Sequence, residues 1–154
     1  MNYLGDDEEV TVVRNSTGAS KVKIEKVIGG EDLITFAKAV RDVSLPEELG
    51  GYIVDLVGAS RPVKSDCLPF VKEYISWGAG LRASQNISLA SKSIAAMDAR
   101  NTVSSEDVRK AIIPVLRHRI GLSFMAEVDR VTVEDVIQKL VQAVPAPGQK
   151  KGRA

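Results

Sequence analysis

The sequence predicts an all-α protein, a bundle of five or six helices with short extended segments confined to its N-terminal third. Three observations predict it. Apolar residues recur three and four apart over long stretches, the spacing of one helix face. Hydrophobic residues make up 44% of the 154 but aromatic ones only 5%, so a core must be built from Ala, Val, Ile and Leu, which suits close-packed helices better than an aromatic-rich sheet. Two segments, Val103-Ser104-Ser105-Glu106-Asp107-Val108 and Val131-Thr132-Val133-Glu134-Asp135-Val136, share one helix-start pattern, a hydroxyl with a carboxylate three residues on. Two copies with no fixed-length unit after them are shared capping chemistry, not a repeat.

Taken in order, a first helix covers about residues 6–15, with Asp6, Asp7, Glu8 and Glu9 in the turn where the helix dipole favours them. Ser, Thr and Gly between Ser16 and Lys21 break it. Val22 to Ile28 alternates only partly and reads as a short strand or extended chain. Gly29 and Gly30 open a helix over about 31–41 with Leu33, Phe36, Ala37 and Val40 on one face. Val43-Ser44-Leu45 is extended, since the residue before Pro46 is biased away from helix. Pro46-Glu47-Glu48 is a good helix start, with Leu49, Ile53 and Leu56 on its buried side. Ser60 to Pro69, with Pro62, Lys64, Ser65 and Asp66, is a loop. The strongest helix runs over about 81–99, with Ala83, Ile87, Ala90, Ile94 and Met97 as a seam facing other helices. The two capped helices bury Val108, Ala111 or Ile112, and Val115, then Val136, Ile137, Leu140 and Val144. After Pro145 the chain is small and polar and cannot bury a core. Phe70, Tyr74 and Trp77 are expected to pack into the bundle.

Much chemistry is excluded. With 21 basic and 20 acidic residues the net charge is +1, without the basic excess of a duplex-binding domain. The single cysteine, Cys67, rules out an internal disulfide and a multi-cysteine metal site, and is expected to be an incidental thiol. The acidic N-terminus does not resemble a signal peptide, and no apolar run approaches the roughly 20 residues of a membrane span; a cytoplasmic location is the default. No Gly-Lys pair exists for a phosphate-binding loop. The only histidine, His118, lies between Arg117 and Arg119, a poor setting for a base. No metal site and no self-contained catalysis are expected.

One segment breaks a local rule. Trp77-Gly78-Ala79-Gly80-Leu81-Arg82-Ala83 puts small residues before the longest helix and an arginine in its first turn, where a cation costs a few tenths to about 1 kcal/mol. An anion there reverses the sign, gaining from free helix amides and the guanidinium together. The plainer reading, that Arg82 pairs with a nearby Asp or Glu, stands beside it. Arg117, His118 and Arg119 lie near a helix C-terminus, where cations suit the dipole; capping and packing is one reading, contact with another domain, subunit or substrate the other. Lys150, Lys151 and Arg153 form a short solvated tail.

Several stretches resemble one family. Gly78-Ala79-Gly80-Leu81-Arg82-Ala83 is similar to the Gly-Ala-Ser-Pro-Arg-Ala sensor 2 motif of MoxR-type AAA+ ATPases. Tyr52-Ile53-Val54-Asp55-Leu56-Val57 resembles the helix that opens that family's lid. Asn101-Thr102-Val103 with Glu106-Asp107-Val108 resembles its Val-Thr-Pro-Glu-Asp-Val turn, and Pro114-Val115-Leu116-Arg117-His118-Arg119 its Val-Leu-Arg-His-Arg signature. Tyr3 to Arg14 is similar to the region after the ATPase core. The resemblance implies a helical bundle of AAA+ lid type: residues 1–50 as linker and flanking helices following an absent core, 51–146 as the lid bundle, 147–154 as a disordered tail. Met1 then marks where the chain was cut from its parent. It further implies that ATP and Mg belong to the full-length parent and none to this piece alone, that Arg82 reads the γ-phosphate with support from Gly78, Ala79, Gly80 and Leu81, and that the lid couples hydrolysis to chaperone-like remodelling of protein complexes. Its partners are then a core in cis, neighbouring subunits of a hexameric ring and a von Willebrand factor A domain protein, with neither membrane nor nucleic acid. Gly80 and Leu81 depart from the family's Ser-Pro, which loosens the helix start. A free-standing helical module binding protein or DNA, and a small metal- or acid-dependent enzyme, are the competing readings.

Overall fold

The computed structural model of the chain describes residues 4–18 and 25–148. Tyr3, residues 22–24 of the stretch read as strand or extended chain, and the basic tail from residue 149 lie outside them, while residues 25–28 belong to no strand. The chain divides between Leu33 and Ile34 into two units. In the first, α1 (Asp6–Thr17) follows Gly5, whose N–H donates to Glu8 Oε2 at 3.2 Å. There α2 (Gly30–Asp42) also begins, with the Gly29 N–H donating to Asp32 Oδ2 at 2.7 Å.

The second unit holds the rest of α2, then α3 (Glu47–Ala59), α4 (Pro69–Tyr74), β1 (Ile75–Trp77), α5 (Leu81–Met97), α6 (Ser105–Leu116), β2 (Gly121–Leu122), α7 (Phe124–Val128) and α8 (Val133–Ala143). Its core is aliphatic: Ile53, Leu56 and Val57 of α3, Ile87 of α5, Val108, Ile112 and Leu116 of α6, and Val136, Ile137 and Leu140 of α8 are each at most 1% exposed. The most extensive helix contact is α5 against α6. The buried face of α5 is Ala83, Ser84, Ile87, Ser91 and Ala95, small enough for close approach of the two backbones. Ser91 satisfies its buried hydroxyl by donating to the Ile87 carbonyl at 2.7 Å. α3 runs through the boundary expected at residue 50, and Leu49 is already in the core.

All six expected helices are present, in an all-α architecture. Two further short ones, α4 and α7, have six and five residues, too few to show a helical period. β1 and β2 pair antiparallel, Ile75 opposite Leu122 and Trp77 opposite Gly121. The extended reading of Val43 to Leu45 holds: Ser44 bridges to Thr102 in parallel, its N–H donating to Asn101 O at 2.8 Å and its carbonyl accepting from Val103 N at 2.9 Å.

Some side chains lie elsewhere than expected. Trp77 is 58% exposed, its indole over Gly121, where any Cβ would collide with the ring. Met97, at 77% exposed, has run off the end of the α5 seam, and Leu33 and Phe36 share a face that α2 does not bury. Phe70 and Tyr74 do pack against the core, with Lys139 Nζ 6.0 and 5.4 Å from their ring centroids.

The turn joining α5 to α6 is tied by an ion pair between the half-exposed Arg100 and the buried Asp107. Ala99 ends α5 in the left-handed region, φ 55°, and the Arg100 N–H returns to Ala95 O at 2.8 Å. That places Arg100 to donate to Asp107 from Nη1 at 2.8 Å and Nη2 at 2.6 Å. Asp107, 1% exposed, also accepts from Ser104 N and Oγ, both at 2.8 Å, closing the capping box. The Arg100 hydrogen bonds, helped by those from Ser104, hold the Asp107 carboxyl well below the usual carboxylate range. A carboxyl depressed in the folded state stabilises fully above its unfolded pKa of about 3.9 and stops doing so as pH falls toward its folded value. Arg100→Ala, which leaves the buried Asp107 carboxylate without its guanidinium, is therefore expected to lower the unfolding midpoint at neutral pH. Asp107→Asn should reduce the loss of stability below about pH 4. Urea unfolding across a pH series measures both, and an unaltered acid slope in Asp107→Asn would contradict the assignment.

Candidate functional site

The start of α5 is positioned by the end of α3. Ser60, fully buried at the α3 C-cap, donates from Oγ to Val57 O at 2.6 Å and accepts from the Ala79 N–H at 3.0 Å. Arg61 Nε donates to Ala79 O at 3.0 Å. Both polar groups of the Ala79 backbone are thus held by two consecutive residues, and Ala79 itself is 1% exposed. Gly78 lies flat against the same turn: a Cβ there would overlap the Ser60 carbonyl and the Arg61 Cα. The small residues at 78 and 79 bring the backbone close to the chain's own α3 terminus. Gly80 is different. Its φ is −91°, and a Cβ would meet nothing within 4 Å.

Gly80 is the N-cap of α5 and offers no side chain to the first turn, which contains no acidic residue. α6, α7 and α8 are each capped by a hydroxyl that accepts a backbone N–H: Ser104 from Asp107, Ser123 from Ala126, Thr132 from Asp135. At α5 only the Ala83 N–H turns back to Gly80 O, at 3.0 Å, so the N–H groups of Leu81 and Arg82 point out of the helix end without a side-chain acceptor. Leu81 is 69% exposed. Arg82 is exposed, and among the described residues it has neither a hydrogen bond nor an ion pair. The internal carboxylate partner of the plainer reading is not there. Guanidinium and open amides form a cationic helix end suited to an anion.

Arg117, His118 and Arg119 meet the chain itself. Arg117, the α6 C-cap, pairs through Nε with Glu134 Oε1 of α8 at 2.6 Å. Arg119 donates from Nη1 to Val115 O at 3.0 Å, supplying a partner to a last-turn carbonyl, and also touches the His118 ring. Cys67 is half-buried against the core. Among the described residues no group of three or more His, Cys, Asp or Glu side chains could hold a metal ion, and no helix is long and apolar enough to cross a membrane.

Residues 70–140, which contain this helix start, match the AAA lid domain family. The chain is similar to the chaperone MoxR1 of Mycobacterium tuberculosis, 29% identical over 147 residues that cover 96% of this chain and 39% of that protein. It is 24% identical to the uncharacterized protein YeaC of Bacillus subtilis over 151 residues, 97% of this chain and 44% of that one. A crystal structure of a candidate ATPase from Cytophaga hutchinsonii superposes with a TM-score of 0.76 at 26% identity, covering 95% of this chain and 44% of the other. Residues 70–140 are therefore an AAA lid domain. Over nearly its whole length the chain is similar to MoxR-type proteins, and it spans about two fifths of the length of the curated relatives it matches.

Ser60 and Arg61 are the positioning residues that sequence reasoning missed. They sit 19 and 18 residues from Ala79, and no local pattern links them to it. Gly78→Ala is expected to destabilise by about 1–3 kcal/mol through overlap with backbone that cannot yield, and Gly80→Ala by under about 1 kcal/mol. Thermal unfolding of both variants is the measurement, and equal costs would overturn this account of the turn.

Proposed function

We propose that Arg82 is the sensor 2 arginine of this AAA+ lid, the side chain that meets the terminal phosphate of ATP held by a core domain. The carrying observation is that Arg82 is exposed and unpaired in the first turn of an uncapped 17-residue helix. The chemistry fits a phosphate: a planar cation able to hold two oxygens, beside backbone N–H groups at the positive end of the helix. ATP supplies the phosphoanhydride bond, and Mg²⁺ belongs with it in the core. Gly78 and Ala79 keep the helix end pressed on α3, and Gly80 and Leu81 leave it open.

A cation that contacts the terminal phosphate binds ATP more tightly than ADP, and such a difference is what lets a lid's position depend on the nucleotide. We read the parent as an ATPase that remodels protein complexes, a reading supported by the likeness to a protein named as a chaperone. The resemblance adds a hexameric ring and a von Willebrand factor A domain partner. The isolated chain is expected to hydrolyse no ATP.

Arg82→Ala in the full-length parent should lower ATP turnover by about 10²-fold, the order seen when one preorganised donor to a transition-state charge is removed. ATP affinity should fall more than ADP affinity. Steady-state hydrolysis and nucleotide titration measure these, and unchanged turnover with unchanged nucleotide-dependent assembly would refute the role.

A further inference from the structure

Between Ala79 and Ala83, both 1% exposed, the chain crosses Gly80, Leu81 and Arg82, all three of them exposed. Gly80, the N-cap of α5, makes no side-chain capping hydrogen bond, and a Cβ there would meet nothing within 4 Å. Glycine has more backbone freedom to lose than any other residue. The Gly80 carbonyl accepts from the Ala83 N–H at 3.0 Å, which closes the first turn but leaves the turn's direction to the chain before it. The span that carries Arg82 is therefore steadied from its two ends.

At the upstream end the restraint is two side chains. A peptide group is planar, so holding one of its polar atoms orients the whole group. Ser60 Oγ accepts from the Ala79 N–H, and Arg61 Nε donates to the Ala79 carbonyl, each at 3.0 Å. The first contact orients the peptide before Ala79, the second the peptide joining Ala79 to Gly80. Arg61 thus acts on the last rigid plane ahead of α5. Its own N–H donates to Gly58 O at 3.2 Å, so its side chain springs from backbone held at the end of α3. Arg119 bonds a last-turn carbonyl of α6, one of the acceptors that every helix end leaves over. The Ala79 carbonyl, which precedes a helix, is not of that kind.

We propose that Arg61 is a positioning residue for nucleotide reading: it fixes the Ala79–Gly80 peptide, thereby places Arg82 relative to α3, and acts on the terminal phosphate only through Arg82. The inference rests on the sensor role proposed for Arg82. Arg61 does from a distance what proline does locally at a first helical position, where its fixed φ sets the start of the helix. Proline fits at residue 81. Gly80 is extended, at φ −91° and ψ −175°, which suits a residue before proline. The Leu81 N–H is a first-turn amide with no helical acceptor to lose.

Arg61→Met keeps the aliphatic stem and removes the donor. In this chain, NMR relaxation should show the Leu81 and Arg82 backbone order parameters falling from about 0.85 toward about 0.6, with those of α6 and α8 unchanged. In the full-length parent the same variant should lower ATP turnover by about tenfold, within the loss of on the order of 10²-fold that a misplacement of about 1 Å can cause. Arg61→Lys, which keeps a donor, should retain most of both. Adding Leu81→Pro to Arg61→Met should restore the Arg82 order parameter and most of the turnover without restoring a charge at position 61. In an Arg82→Ala background, Arg61→Met should cost nothing more. Turnover indifferent to Arg82→Ala would overturn the sensor reading itself. If Arg82→Ala lowers turnover, the present inference alone is overturned by any of three results: Arg61→Met leaves turnover or the order parameters unaltered, proline fails to rescue, or Arg61→Met causes a further loss in the Arg82→Ala background.

Discussion

A buried hydroxyl needs partners, and the Ser60 hydroxyl finds its acceptor at Val57 within α3 and its donor at Ala79 across the loop. That arrangement decides where α5 begins. With Arg61 holding the Ala79 carbonyl, both backbone polar groups of Ala79 are tied, and Gly78 can have no side chain because the α3 terminus occupies the space. α5 then leaves in one direction only, with Ala83 and Ile87 on the core and Arg82 off it. At the other end, the left-handed Ala99 and the Arg100–Asp107 pair fix the reversal into α6. Both ends of the longest helix are thus held by buried polar contacts, and the apolar seam between them fills the remaining space.

Those contacts are distributed unevenly, and the unevenness is informative. α6 and α8 have complete capping boxes, each with a hydroxyl and an Asp carboxylate. The Asp135 carboxyl is drawn below its ordinary range by Thr132, as Asp107 is more strongly by Arg100 and Ser104. α5, the helix held most firmly at its flanks, has neither at its own N-terminus. Local capping is interchangeable with any other acceptor that reaches the same amides. A helix end left open on a rigidly held element is well suited to an acceptor from outside the chain, because its position is set before the acceptor arrives.

The sequence-level reading succeeded where the signal was periodic or chemical and local. The spacing of Ala83, Ile87, Ala90 and Ile94 marked α5, and the Ser104–Asp107 and Thr132–Asp135 pairs marked two helix starts to the residue. It failed where the deciding contact is distant in sequence. α4 and α7 are single short turns stabilised by what they pack on, and the β1–β2 pair joins residues 46 positions apart through Ser76 and Leu122. Trp77 was placed in the core because large aromatics are usually buried. Its partner turned out to be Gly121 at the surface, an arrangement set by strand pairing. The small residues at 78 and 79, which the sequence offers only as part of a site before α5, are small because they approach Ser60 and Arg61.

That last correction sharpens the case for Arg82 by separating it from its neighbours. If Gly78 and Ala79 are small because α3 presses on them, they are not themselves evidence for a ligand, and the anion reading must stand on the helix end alone. It does so by contrast within the same unit. Arg100, eighteen residues further along, is also a cation beside a helix start, and it is matched by two carboxylates and locked in place. An arginine meant to stabilise the fold looks like that. Arg82 has equal charge, lies in the first turn of α5 and has no partner among the described residues, on a helix whose direction is fixed from both ends. A side chain that must engage an anion only when one is presented has to combine a fixed base with a free head, and the Ser60 contact supplies the first without restricting the second.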